Sequence, residues 1–249
     1  MKPISIVGAG PGATELLTLK ALNRLLNAEV LVWTDSLVSP EIANLAPKSC
    51  IKYETSSLTL EEIITIIASN AKKDKSVVRL HDGDPCLYGA ISEQIIALAD
   101  QGLEVEIVPG ISAYQAAAAE LKKELTIPGL VQTIVLSRAS GRTGTPEKEK
   151  LENLAKIGAS LCLYLSARHV EDVQDKLLLY YPKDTPVLIG HRVTWKDQWL
   201  NIVPLEKMAK TSREKGFFRT TLYIISPALN SHQKRSKLYH NSHKHLFRN

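Results

Sequence analysis

Apolar residues along this chain fall into two alternating registers. Short, mostly apolar runs at 4–7, 30–33, 50–53, 77–80 and 105–108 predict buried parallel strands. Between them, apolar positions recur every three or four residues, the helical period. Leu60, Ile63, Ile64, Ile67, Ala68 and Ala71 follow Thr59 in this way, and Ile91, Ile95 and Leu98 follow Gly89. Thr14 predicts an N-cap for a helix carrying Leu16, Leu17, Ala21, Leu22 and Leu25, and a short helical stretch is expected over 37–45. Ser112 predicts a cap for the alanine-rich helix running to about 121. Strand–helix alternation of this kind predicts an α/β fold with a mostly parallel sheet.

The register changes near 124–129, where Leu125-Thr-Ile-Pro-Gly129 reads as a connector. The expected organisation is an N-terminal α/β domain over 1–123, a C-terminal α/β domain over 124–229 and a basic tail, 230–249, expected to be disordered. In the second domain strands are expected at 133–137, 160–165, 186–190 and 221–225. Helices are expected at 148–156, 170–179 and 205–212, with antiparallel returns making a mixed sheet.

Three of the predicted strands end in glycine-containing turns. These are Gly8-Ala-Gly10-Pro11-Gly12-Ala13, Asp82-Gly83-Asp84-Pro85 and Pro109-Gly110-Ile-Ser112-Ala113. In a parallel sheet such ends share one rim, so a single ligand site is expected there. The first turn also fits G-x-G-x-x-A, with Asp35 after the second strand at the distance of a ribose-binding acid, which keeps a dinucleotide-binding reading open. Against it, Pro11 has no amide hydrogen and Glu15 would repel a pyrophosphate. Loop 138–147 is polar and carries Arg138 and Arg142, suited to bidentate pairing with the carboxylates of an acidic substrate.

Charge narrows the class of ligand. The net charge is +5, but Lys234, Arg235, Lys237, Lys244 and Arg248 lie in the tail, leaving 26 basic and 26 acidic residues in 1–229. A neutral body favours an acidic small molecule over nucleic acid. No apolar run approaches the roughly 18 residues of a membrane span, and no signal peptide is expected. Cys50, Cys86 and Cys162 have neither metal-ligand nor disulfide spacing, which fits the cytoplasm. His232, His240, His243 and His245 sit in the tail without a scaffold, so no metal site is expected.

Together the three turns resemble those of the tetrapyrrole (corrin/porphyrin) methyltransferases, S-adenosylmethionine-dependent enzymes of two α/β domains with the cofactor in the cleft. Asp35-Ser36-Leu37-Val38, Leu125-Thr126-Ile127-Pro128 and the 138–147 block resemble the branch that methylates C-11 of precorrin-4 or its cobalt form in cobalamin biosynthesis. Sibling enzymes acting at C-17, at C-20 or on uroporphyrinogen III, and diphthine synthase, are the alternatives. The resemblance implies cofactor contacts at Pro11, Asp82, Gly83, Asp84, Leu87, Ser112, Ala113, Leu165, Val193, Thr221 and Leu222, and substrate contacts at Asp35, Ser36, Arg138 and Arg142. It also implies a homodimer. No catalytic dyad is expected, because a sulfonium methyl is already a strong electrophile and alignment supplies much of the acceleration.

Overall fold

The computed structural model describes residues 2–140 and 144–230. Arg142 and the histidines of the tail lie outside the described residues. The chain divides into two compact units: Met1–Ala116 with Arg192–Gln198, and Ala117–His191 with the chain from Trp199 onward.

The first unit holds strands β1 (Ile4–Gly8), β2 (Val30–Trp33), β3 (Ile51–Glu54), β4 (Val77–His81) and β5 (Val105–Val108) in the order β3-β2-β4-β1-β5, all parallel. β1, β2 and β4 are buried along their whole length, which is why they are mostly apolar, with Ser5, Arg79 and His81 as buried polar exceptions. One face packs Val7, Leu31, Trp33, Val78 and Leu80 beneath helices α1 (Leu19–Leu26) and α2 (Pro40–Ala43). The other packs Ile4, Val30, Val32 and Val77 against α3 (Leu60–Ala71) and α4 (Ile91–Ala99). α3 carries a full capping box. Glu62 N donates to Thr59 Oγ1 and Thr59 N donates to Glu62 Oε2, as the Thr-x-x-Glu spacing favours. α5 (Ala113–Glu120) follows β5, and the division between the units falls within it.

The first helix differs from expectation. Residues Thr14–Leu16 form a single 3-10 turn, and α1 starts at Leu19, with Thr18 Oγ1 accepting from the Ala21 amide. Two threonines four residues apart both precede leucines, and the one that can cap a helix without interrupting the glycine turn does so.

The second unit holds β6 (Ile134–Arg138), β7 (Ser160–Tyr164), β8 (Pro186–His191), β9 (Trp199–Pro204) and β10 (Thr221–Ile225) in the order β6-β7-β10-β8-β9. β6 and β7 are parallel; β10 runs antiparallel to β7 and β8, and β8 antiparallel to β9. Helices α6 (Leu151–Ala155), α7 (Val170–Leu178) and α8 (Met208–Glu214) cover a core built on Leu161, Leu163, Leu177, Ile189 and Tyr223. β9 is absent from the sequence reading. It is a half-buried edge strand, and Asn201 at its centre interrupts the apolar signal. Both sheets bear out the expected pair of α/β folds, one parallel and one mixed.

Candidate functional site

The order β4-β1-β5 brings the three glycine turns side by side at the carboxyl rim of the first sheet. Ala9 N donates to His81 O (2.7 Å), Gly10 N to Gly83 O (3.1 Å) and Gly83 N to Gly10 O (2.9 Å), so the first two turns are laced together beyond the ends of their strands. Gly10 and Gly83 both have φ in the left-handed region, at 69° and 55°. Gly8 is required for a different reason. A Cβ there would lie 2.6 Å from Gly83 O, 2.7 Å from Gly110 N and 2.8 Å from Gly110 Cα, all backbone atoms. Asp84 closes the third side. Its Oδ1 accepts from Cys86 N (2.8 Å) and its Oδ2 from Gly110 N (3.0 Å), tying the β4 turn to the β5 turn. Ser112 follows, with its amide held by Gln115 Oε1 (3.0 Å) as Ala113 opens α5.

This geometry rules out the dinucleotide reading of the 8–13 turn. In a nucleotide-binding unit the ribose acid stands on the strand beside the glycine turn; here β4 lies between β1 and β2. Asp35 is also engaged elsewhere. Its Oδ1 accepts from Thr55 N (3.0 Å) and Ser56 N (2.8 Å), and its Oδ2 from Ser56 Oγ (2.7 Å). Burial works to raise its pKa, but those hydrogen bonds outweigh it and lower the pKa below the ordinary carboxylate value. Three amides of the turn are occupied too: Ala9 and Gly10 as above, and Ala13 by Thr194 Oγ1 (2.9 Å). With a proline at 11 and no regular helix opening at the turn, it does not form a pyrophosphate cradle. Asp35 and Ser36 still stand on the same rim, at the end of β2 beside β4.

Beneath the rim lies a buried polar cluster that only its parity along β4 hinted at. Arg79 and His81 share a face with Val77, under α4. Arg79 Nη1 donates to Val32 O (3.2 Å) and Leu80 O (3.4 Å), and Arg79 Nε to Gln94 Oε1 (3.3 Å). Burial lowers the Arg79 pKa to about 10, with the Asp82 charge acting against that fall. Burial and then the Arg79 charge push His81 down to about 3, so it is neutral at physiological pH, with Nε2 buried and unpartnered. Asp82 keeps accessible surface, yet neighbouring atoms exclude enough water to raise its carboxyl above the ordinary range, while Arg79 pulls the other way.

Sequence reasoning missed Thr194 and Trp195, although it placed Val193 at the site. The segment Arg192–Gln198 packs with the first unit. Besides the Thr194 bond to Ala13, Trp195 Nε1 donates to Pro11 O (3.0 Å), and Gly12 must lack a Cβ because that atom would lie 2.7 Å from the Trp195 Nε1. Arg192 stacks on the Trp195 ring at 5.2 Å and pairs with Asp197. A separation of more than 180 residues leaves no local signal for such a contact.

In the second unit, Thr221 and Leu222 begin β10 and are buried, and Thr221 Oγ1 lies 3.1 Å from His191 Nδ1. Leu165, just past β7, is 63% exposed with φ at 51°, an unusual combination for a leucine. Arg138 ends β6 and turns back on its own loop, with Nη2 donating to Gly144 O at 2.9 Å. Eight non-glycine residues among those described have positive φ. Five of them (Tyr88, Leu165, Arg192, Thr194 and Thr220) are, or directly adjoin, residues the resemblance marks for the cofactor. Strained backbone of this kind collects at ligand sites.

Comparison with known proteins agrees with this picture. Tetrapyrrole (corrin/porphyrin) methylases match as a family over residues 3–209. The cobalt-precorrin-4 C(11)-methyltransferase of Methanocaldococcus jannaschii is 38% identical over 249 residues, spanning 99% of this chain and 96% of that protein. The X-ray structure of a cobalamin biosynthetic enzyme, cobalt precorrin-4 methyltransferase, superposes with a TM-score of 0.88 at 36% identity, covering 92% of this chain and 96% of that one. Uroporphyrin-III C-methyl transferase of Thermus thermophilus, solved with S-adenosyl homocysteine, gives a TM-score of 0.77 at 26% identity, covering 92% and 99%. On fold, rim geometry and extent of identity, this chain belongs to the tetrapyrrole (corrin/porphyrin) methylase family.

Proposed function

We propose that this protein is an S-adenosylmethionine-dependent C-methyltransferase that methylates C-11 of precorrin-4 or cobalt-precorrin-4 in cobalamin biosynthesis. The observation that carries this reading is identity to a cobalt-precorrin-4 C(11)-methyltransferase across essentially the whole of both chains. The rim is consistent with such a cofactor. It offers glycine backbone, apolar side chains and a carboxylate to a ligand that carries a sulfonium and no phosphate, and its Ala9, Gly10 and Ala13 amides are already spent within the protein.

In this reading Pro11, the turn Asp82-Gly83-Asp84, Leu87, Ser112, Ala113, Leu165, Val193, Thr221 and Leu222 hold the cofactor. Asp84 contributes by fixing the turns, since both its oxygens are engaged. Bound S-adenosylmethionine supplies a methyl group that needs no acid or base to become electrophilic. Asp35, Ser36, Arg138 and Arg142 bind the acidic macrocycle. Arg138 is suited to this because a guanidinium pairs with a carboxylate through two parallel hydrogen bonds. Residues 1–123 and 124–229 are the two working domains, and the enzyme acts as a cytoplasmic homodimer.

Calorimetric titration with S-adenosylhomocysteine and separately with NAD tests the cofactor class. Micromolar binding of the first with none of the second is expected; the reverse pattern would sink the reading.

A further inference from the structure

We infer that Arg213 is a positioning residue for the methyl donor, clamping the turns after β7 and before β10 in the conformation that presents Leu165 and Thr221 to the cofactor; this rests on the proposed function. β7 and β10 are antiparallel neighbours. Leu165, just past the end of β7, and Thr221, the first residue of β10, therefore stand at the same edge of the sheet. Both turns depart from ordinary backbone. Leu165 has φ at 51° and Thr220 at 53°, a region that residues with a Cβ rarely adopt. Such a conformation persists only where its surroundings over-determine it.

Arg213, in the last turn of α8, supplies that constraint. Its Nη1 donates to Ala167 O (2.9 Å) and Phe217 O (3.4 Å), and its Nη2 to Arg168 O (3.2 Å). Nε and Nη2 donate to the two carboxylate oxygens of Glu171. All five N–H groups of the guanidinium are thereby used. The acceptors belong to both turns, since Ala167 and Arg168 follow Leu165 and Phe217 precedes Thr220. The Phe218 ring covers the cation, its centroid 4.8 Å from Cζ. The second turn is fastened again further along. The buried Phe217 ring stacks on His191 at 4.3 Å, and Thr221 Oγ1 donates to Arg219 O (2.9 Å) and lies 3.1 Å from His191 Nδ1.

Core packing does not call for this clamp. Leu165 is 63% exposed, so the strained turn is held around a side chain that adds nothing to the hydrophobic interior. Thr221 and Leu222 are buried, and their placement follows the backbone of the turn before them. A guanidinium reaches both turns because its donors diverge in one plane. A lysine ammonium has its three donors on a single atom and cannot span the same acceptors.

Arg213→Lys and Arg213→Gln, each in the full chain, test the inference. Leu177→Val is the stability control; Leu177 lies in the core of the same unit and makes none of the clamp's hydrogen bonds. The readouts are S-adenosylhomocysteine calorimetry, urea unfolding, amide hydrogen exchange and steady-state methyl transfer to precorrin-4. Both Arg213 variants are expected to bind S-adenosylhomocysteine about tenfold or more weakly. KM for S-adenosylmethionine should rise in proportion, with kcat at saturating donor within about threefold. Exchange over 165–168 and 217–221 should quicken in the unliganded variants. Leu177→Val should lower the urea midpoint while leaving S-adenosylhomocysteine affinity within about threefold. An Arg213→Lys enzyme with near-normal affinity, or Arg213 variants whose only defect is a lower urea midpoint, would overturn the inference and leave the functional reading intact. A wild-type chain that binds no S-adenosylhomocysteine would overturn both.

Discussion

Replacing Gly8 with alanine tests whether the three turns are held together by backbone contact. The added methyl would meet Gly83 O at 2.6 Å and Gly110 N at 2.7 Å, with Gly110 Cα at 2.8 Å. A relaxed carbon–oxygen contact is about 3.3 Å or more, so one turn must retreat by roughly 0.5–0.7 Å. None of the three atoms belongs to a side chain that could swing aside. Overpacking of this kind costs about 1–3 kcal/mol, and the retreat weakens the paired Gly10–Gly83 hydrogen bonds, each worth about 1 kcal/mol. Loss of glycine entropy in the unfolded chain returns about 0.5–1 kcal/mol. The net expectation is a destabilisation of about 2–4 kcal/mol, read as a lower urea midpoint at unchanged slope, together with at least tenfold weaker S-adenosylhomocysteine binding. Gly144→Ala, whose methyl would meet nothing within 4 Å, is the control and should shift neither. A Gly8→Ala protein as stable as the wild type, with unchanged affinity, would refute the close approach.

Asp84→Ala removes the acceptor of two amides, so a loss of about 2–3 kcal/mol in stability is expected by urea unfolding, with weaker cofactor binding by calorimetry. Hydrogen bonds from Arg24, Lys20 and Ser5, with burial opposing, hold Glu106 at about 2, below its usual 4.5. Because the folded pKa is depressed, this stabilisation is present above pH 4.5 and is lost as pH falls towards 2. Glu106→Gln should therefore cost at most about 3 kcal/mol at pH 7, less after screening at the half-exposed Arg24, and progressively less below pH 4.5 in the same unfolding assay. Thr194→Val removes the acceptor of the Ala13 amide, and hydrogen exchange at Ala13 should quicken about tenfold or more while global stability falls by only about 1 kcal/mol. Unchanged exchange there would mean that the Arg192–Gln198 segment does not hold the glycine turn.

Much of this architecture was legible because the strands of a parallel sheet announce themselves as short, mostly apolar runs. Val30–Trp33 and Val105–Val108 were found this way to the residue. The turns were legible because Gly10 and Gly83 take a backbone conformation few other residues accept. Strand order was not, since periodicity says which residues are buried but not which strands are neighbours, and that order separates this rim from a dinucleotide site. β9 escaped because an edge strand has a weaker reason to be apolar. Roles hid where one residue type serves two purposes. Asp82 and Asp84 look alike in sequence, and only the hydrogen bonds from Cys86 N and Gly110 N show that Asp84 ties two turns together. Gln94 and Trp195 reach the site through contacts distant in sequence, for which a single chain carries no local signal.

The most direct test of the functional claim is incubation of the purified protein with precorrin-4, or its cobalt form, and S-adenosylmethionine carrying a carbon-13 methyl group, followed by carbon NMR of the product. A single labelled methyl at C-11 is the predicted result. Label at another ring position, or a protein that binds the cofactor product and transfers no methyl to either substrate, would contradict it.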